Sequence, residues 1–356
     1  MQTLRQVLSR THNIPNDGTP FVIAEMSGNH NASRDRALAL VDAAAECGAD
    51  AVKIQTFTAD SMTLDLAEGE FSITDPKSLW YGRRLYDLYE EAKTPADWHP
   101  EIFERAHQRG ILCFSTPFDE TAVTLLESLN VPAYKIASFE LVDLPLIRQV
   151  AATGKPLIIS TGMATVAEID EAVQTARDAG CVSLTLLKCT SSYPASPENT
   201  NLLTMPQIGA TFRCSVGLSD HTGGIGVSVA AVGLGASVIE KHLVLDRSEG
   251  GVDAAFSLEP HEFKNLCIEA KRAFQALGRI HFGGAASEQA GRRKRRSLYI
   301  AEDMKAGDVL TPQNLRRIRP GSGLPPRYYD QILGRRIGRD AARGVPMSWD
   351  LLETDG

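Results

Sequence analysis

The 356-residue sequence has no C-x-x-C pair, no run of about 18 apolar residues and no excess of positive charge. Each absence excludes a class of protein. Six cysteines, at 47, 113, 181, 189, 214 and 267, are scattered, several inside apolar stretches such as "ILCF" and "LLKC". They read as buried reduced thiols of a cytosolic protein, not as a disulfide frame or a zinc site. The opening "MQTLRQVLSRTHNIPNDG" holds no signal-like apolar core. The expectation is therefore a soluble, cytoplasmic chain with no membrane partner. A formal net charge of -7 argues against nucleic acid as the main partner. The single basic run, "GRRKRR" (291–296), reads as a solvated linker between domains. A Gly-rich dinucleotide turn is also missing, because "EMSGNHN" after the first apolar run contains no G-x-G-x-x-G.

What is present is an alternation. Short β-branched runs at 21–25, 51–57, 111–116, 133–138, 156–161, 184–190, 213–219 and 236–242 are separated by segments with apolar residues at i, i+3 and i+4, such as "TAVTLLESLN" and "VAEIDEAVQTARDAG". Strands alternating with helices imply parallel pairing, and eight such units predict an α/β fold of the closed (β/α)8 TIM-barrel kind. A doubly wound open sheet is the alternative, weakened by the missing glycine turn. Residues 58–94 carry no clear period. Beyond 280 the text turns small and polar and then β-like, so the chain divides into a catalytic barrel at 1–280, a linker at 281–295 and a small mostly-β domain at 296–356.

Barrel active sites lie at the C-terminal strand ends. There the predicted strands place Glu25, then Lys53 with Gln55, Ser115 with Thr116, Lys135 with Ser138, Ser160 with Thr161, Lys188 with Thr190, Ser219 with Asp220 and His221, and Glu240 with Lys241 and His242. If Lys53, Lys135 and Lys188 point inward from alternate strands, they form a cationic layer among hydroxyls, suited to a multiply charged phosphate and carboxylate. Lys241 then faces outward. A Schiff-base aldolase is the rival chemistry for a barrel lysine. His221 and His242 end neighbouring strands and can converge on one cation, with Glu240 and Asp220 available to orient them. Both histidines can equally be ordinary hydrogen bonders, and Asp220 can be no more than a strand cap. His30 reads as a loop hydrogen bonder.

These rim residues carry a resemblance. "FVIAEMSGNHN", "GADAVKIQTF", "CFSTPFD", "YKIASFE", "ISTGMAT", "VGLSDHT" and "VIEKHL" resemble the sialic acid synthase family, and the tail "RPGSGLPP" resembles its antifreeze-like (SAF) domain. Within that family "TADSMTLD", "LKCTSSYP" and "AFSLEP" look most like the pseudaminic acid synthases. The resemblance implies metal-dependent condensation of phosphoenolpyruvate with an acetamido sugar aldehyde. It implies that Lys53, Thr116, Lys135, Ser138, Ser160 and Ser219 hold phosphoenolpyruvate, and that His221 and His242 hold Mn2+ or Mg2+. It further implies that Glu25 positions the attacking water, and that Gln55, Tyr193 and Asp253 meet the sugar. Arg319 would reach the sugar from the partner in a domain-swapped homodimer. Ser191 and Lys188 depart from the residues common in N-acetylneuraminate synthases, so 2,4-diacetamido-2,4,6-trideoxy-L-altrose becomes the expected sugar. A non-catalytic sugar-binding protein is the remaining alternative.

Overall fold

A computed structural model describes residues 2–354. Eight parallel strands, β1 (Phe21–Glu25), β2 (Ala51–Thr56), β3 (Leu112–Pro117), β4 (Tyr134–Ile136), β5 (Leu157–Ser160), β6 (Leu184–Cys189), β7 (Ser215–Asp220) and β8 (Val238–His242), close into a barrel in sequence order. Pairing of Phe21 with Val238 through Glu25 with His242 seals it. Such strands are covered on both faces, which is why they read as continuous apolar runs. Several of the helices between them start on side-chain caps: Ser33 accepts from Arg36 N, and Thr165 forms a capping box with Glu168.

Alternation along the strands separates two cores. Val22, Val52, Ile54, Leu218 and Ile239 face the surrounding helices, whereas Phe21, Ile23, Ala51, Phe114, Ala133, Ile158, Leu187 and Val238 fill the lumen. A short N-terminal helix, α1 (Leu4–Leu8), adds Leu4 and Leu8 to the lumen cluster, each 1% exposed, and so closes the end opposite the site. Burying two leucines contributes about 1.5–3 kcal/mol each. Arg5 locks that plug by donating to Thr19 O, Pro20 O and Asp50. Gly217 is required where β7 runs against β8, because a Cβ there would lie 2.3 Å from Val238 O.

Residues 58–94 form a loop with two short helices, α2 (Ala59–Met62) and α3 (Leu85–Ala92), and a turn in which Ser72 bridges Arg84. Residues 279–356 make a second compact unit with its own core of Leu298, Ile300, Leu310, Leu315 and Ile337. In it β9 (Ser297–Ile300) pairs antiparallel with β10 (Leu315–Ile318). Among the described residues, no helix is long and apolar enough to cross a membrane.

Candidate active site

The strand ends open into a cavity of about 560 Å3. Because inward positions recur every second residue, the upper lumen receives Glu25 from β1, Lys53 and Gln55 from β2, Thr116 from β3, Lys135 from β4, Ser160 from β5, Ser219 from β7, and Glu240 and His242 from β8. Ser138, Tyr193, His221 and Asp253 join them from the following loops. Arg319 is an exposed residue just after β10 in the second unit. Lys188 departs from expectation. Leu187 belongs to the lumen cluster and Cys189 lines the cavity, so Lys188 between them points out of the lumen, where its Nζ donates to Cys189 O at 2.8 Å and to Thr190 Oγ1 at 3.3 Å. The cationic layer therefore holds two lysines, and β6 contributes a thiol in place of the third.

Those two lysines are set among carboxylates. Lys53 Nζ lies 2.5 Å from Glu25 and 3.9 Å from Glu240, and donates to Thr116 Oγ1 at 3.1 Å. Lys135 Nζ stands 3.7 Å from Glu240, which also accepts from Ser219 Oγ at 3.1 Å. Gln55 Nε2 donates to Glu25 Oε1 at 3.1 Å. Burial opposes the charge on Lys53, but Glu240 and Glu25 outweigh it and hold the ammonium above its ordinary value. Burial dominates at Lys135, which is held below its ordinary value. The same burial lifts Glu25, whereas Lys135 and Lys53 overcome it at Glu240 and keep that carboxylate ionised. The two ammonium groups and the hydroxyls around them offer several hydrogen-bond donors to the oxygens of an anionic ligand.

The histidines stand at one side of this layer with ring centroids 5.3 Å apart. His221 Nδ1 donates to Thr190 O at 3.1 Å, which fixes the ring and leaves Nε2 with its lone pair. The Cys189 thiol, 3.8 Å from Nδ1, outweighs burial and holds the His221 imidazole above its ordinary value; the thiol itself is drawn down to about 7 against its own burial. Burial and the neighbouring His221 keep His242 neutral, and its Nδ1 is buried without a hydrogen-bond partner, 3.9 Å from Asp253 Oδ2. A buried neutral imidazole with an unused lone pair beside a second histidine and a carboxylate fits a divalent cation. Among the described residues, the one trio of converging donors is elsewhere, Glu259, His261 and Glu262, and Arg247 already engages both of its carboxylates. Tyr193 and Phe256 wall the histidine pair at 4.6 and 4.9 Å between ring centroids.

The sequence profile of the NeuB family matches residues 40–282, more than half of the chain. The chain belongs to the NeuB family. The SAF domain profile matches residues 295–353 of this NeuB family protein. Its sequence is 42% identical over 338 residues to the pseudaminic acid synthase of Helicobacter pylori, covering 94% of this chain and 98% of that one. It is 37% identical to the N,N'-diacetyllegionaminic acid synthase of Legionella pneumophila, covering 94% and 95% of the two chains. Among solved structures, the N-acetylneuraminic acid synthetase of Leptospira borgpetersenii, crystallised with citrate, superposes with a TM-score of 0.68 at 31% identity, covering 77% of this chain and 90% of that one.

Two further features of this NeuB family site concern residues whose part was undecided or unseen in the sequence. Asp220 alternates out of the lumen with Lys241, the two 2.8 Å apart and both buried. Its carboxylate also accepts from Ser228 Oγ at 2.6 Å and from Thr222 N at 2.9 Å. It anchors the turn that carries His221 from outside the cavity, so it caps the strand and does not meet a ligand. Glu140, two residues past Ser138, lines the cavity with Oε2 buried and unpartnered, and burial pushes its carboxyl up to about 7. Its only sequence signal was its place at the end of "YKIASFE".

Proposed function

We propose that this chain condenses phosphoenolpyruvate with 2,4-diacetamido-2,4,6-trideoxy-L-altrose to give pseudaminic acid and phosphate. The observation that carries the reading is the buried layer of Lys53, Lys135, Thr116, Ser160 and Ser219 beside His221 and His242, the latter with a buried, unpartnered Nδ1, in a chain similar to pseudaminic acid synthases. In this reading the lysines and hydroxyls bind the phosphate and carboxylate. C3 of phosphoenolpyruvate bonds to the aldehyde carbon, the aldehyde oxygen becomes a hydroxyl, water adds at C2, and phosphate leaves with the oxygen it carried. Glu25, whose proton affinity burial raises, takes a proton from that water. Gln55 holds Glu25 through its 3.1 Å hydrogen bond. His221 and His242, with Asp253 nearby, would hold a divalent cation, which supplies Lewis-acid polarisation of the aldehyde when bound. Gln55, Tyr193 and Asp253 meet the sugar, and Arg319 reaches it from the partner in a domain-swapped homodimer. Phosphate release measured with this sugar, its legionaminate-type diastereomer and N-acetylmannosamine tests the reading. The first should dominate; turnover of N-acetylmannosamine alone would overturn it.

One observation favours a second reading. Lys135 is a buried lysine held below its ordinary value, the condition a Schiff-base aldolase needs. Borohydride trapping with pyruvate would label it.

A further inference from the structure

Ser27, two residues past β1, lines the cavity from a backbone conformation that serine seldom adopts. Its φ is 46°, in the left-handed region that favours glycine, and the residue is buried. Strained positions of this kind persist where the surroundings hold them, and they cluster at functional sites. The side chain that glycine would lack has two partners. Ser27 Oγ donates to Asp253 Oδ2 and accepts from Gln55 Nε2 at 3.1 Å. Gln55 Nε2 gives its other hydrogen to Glu25 Oε1, also at 3.1 Å. One amide and one hydroxyl thus join two carboxylates in a chain that runs from Glu25 through Gln55 and Ser27 to Asp253. At its far end Asp253 Oδ2 stands 3.9 Å from His242 Nδ1, the buried nitrogen without a hydrogen-bond partner.

We infer that Ser27 is a positioning residue whose hydroxyl aims the Asp253 carboxylate at His242 and keeps it in register with Glu25. The inference rests on the function proposed above. The Asp253 oxygen that accepts from Ser27 is the one that faces the unpartnered His242 nitrogen, so turning this carboxylate changes the donor set offered to a divalent cation. Partners that orient such donors typically change cation affinity or activity by about 10–100-fold. Loss of the hydroxyl also leaves one Gln55 hydrogen without its acceptor, which loosens the amide that holds Glu25. Phosphoenolpyruvate binding stands apart from this chain, because Lys53 donates to Thr116 Oγ1 and Lys135 to Ile136 O.

Ser27→Gly and Ser27→Ala both delete the hydroxyl, but only glycine relieves the left-handed backbone. If Ser27 merely shapes the turn, glycine should serve as well as serine or better. The positioning role predicts that both variants of the full chain bind Mn2+ about 10-fold more weakly by equilibrium dialysis. It also predicts that kcat for phosphate release falls at saturating Mn2+ while the phosphoenolpyruvate KM and the circular dichroism stay those of wild type. Unchanged Mn2+ affinity in Ser27→Gly overturns the inference, as does recovery in glycine of what alanine loses, because strain and not the hydroxyl would then be responsible. A phosphoenolpyruvate KM raised as much as the Mn2+ Kd overturns it too, since the whole cavity would have loosened. In those cases wild type still binds Mn2+ and releases phosphate, and the proposed function stands. A wild type that releases no phosphate with the diacetamido sugar would instead remove the functional reading, and this inference with it.

Discussion

Replacing Glu140 with glutamine probes the electrostatics of the cavity through stability alone. Burial, only partly offset by a backbone hydrogen bond and by Lys135, lifts this carboxyl from 4.5 to about 7. The folded chain therefore binds the Glu140 proton more tightly than the unfolded chain does. Between those two values the folded state holds more protons, so stability falls as pH rises through that window and levels off above it. Each pH unit of displacement is worth about 1.4 kcal/mol, which makes the full loss roughly 3 kcal/mol. Glutamine has the same shape and no proton to lose. By calorimetric melting of the full chain, Glu140→Gln should gain up to roughly 3 kcal/mol over wild type near pH 8, and only a fraction of that near pH 5. For a domain of this size the gain corresponds to on the order of 5–10 °C in the barrel's Tm. A difference that is the same at both pH values, or larger at the lower one, would refute the assignment of a buried, protonated carboxyl.

The other expectations concern the histidines, the outer ion pair and the small domain. His221→Ala should lose cation binding, read by equilibrium dialysis with Mn2+, and lose turnover, while circular dichroism stays native; collapse of the fold would instead make His221 structural. Asp220→Ala strands the fully buried Lys241 ammonium and should destabilise by about 3–5 kcal/mol in denaturant melts. A loss of activity with unchanged stability would place Asp220 in the chemistry. Arg319→Ala should raise the sugar KM more than the phosphoenolpyruvate KM, and unchanged sugar kinetics would count against capping by the small domain.

The barrel was legible because parallel strands buried on both faces leave apolar runs that need no partner information to see. Its edges moved for local reasons. β7 begins at Ser215, not 213, because Arg213 adopts a left-handed φ of 50° that ends the preceding helix. β4 stops at Ile136 because Ser138, at φ -64° and ψ -35°, already starts a turn. Alternation located nearly every inward residue but misassigned β6, where Lys188 is the more conspicuous polar residue and Cys189 the inward one. Hydropathy alone does not set that parity; the lumen packing of Leu187 does. The loop at 58–94 was illegible because its order comes from distant contacts, such as Trp80 with Val252, and not from a local period. Glu140 escaped notice because a carboxylate one turn past a strand is ordinarily solvated, and only burial makes it unusual.

The central claim is that the buried lysine layer serves phosphoenolpyruvate, with carbon–carbon bond formation coupled to loss of phosphate. It is tested most directly by giving the enzyme the 6-deoxy diacetamido sugar with either phosphoenolpyruvate or pyruvate and following both product mass and phosphate, with and without a chelator. The account predicts a nine-carbon keto acid with one phosphate released per product from phosphoenolpyruvate, abolished by chelator, and no product from pyruvate. Product from pyruvate, with Lys135 trapped by borohydride and no dependence on metal, would contradict it.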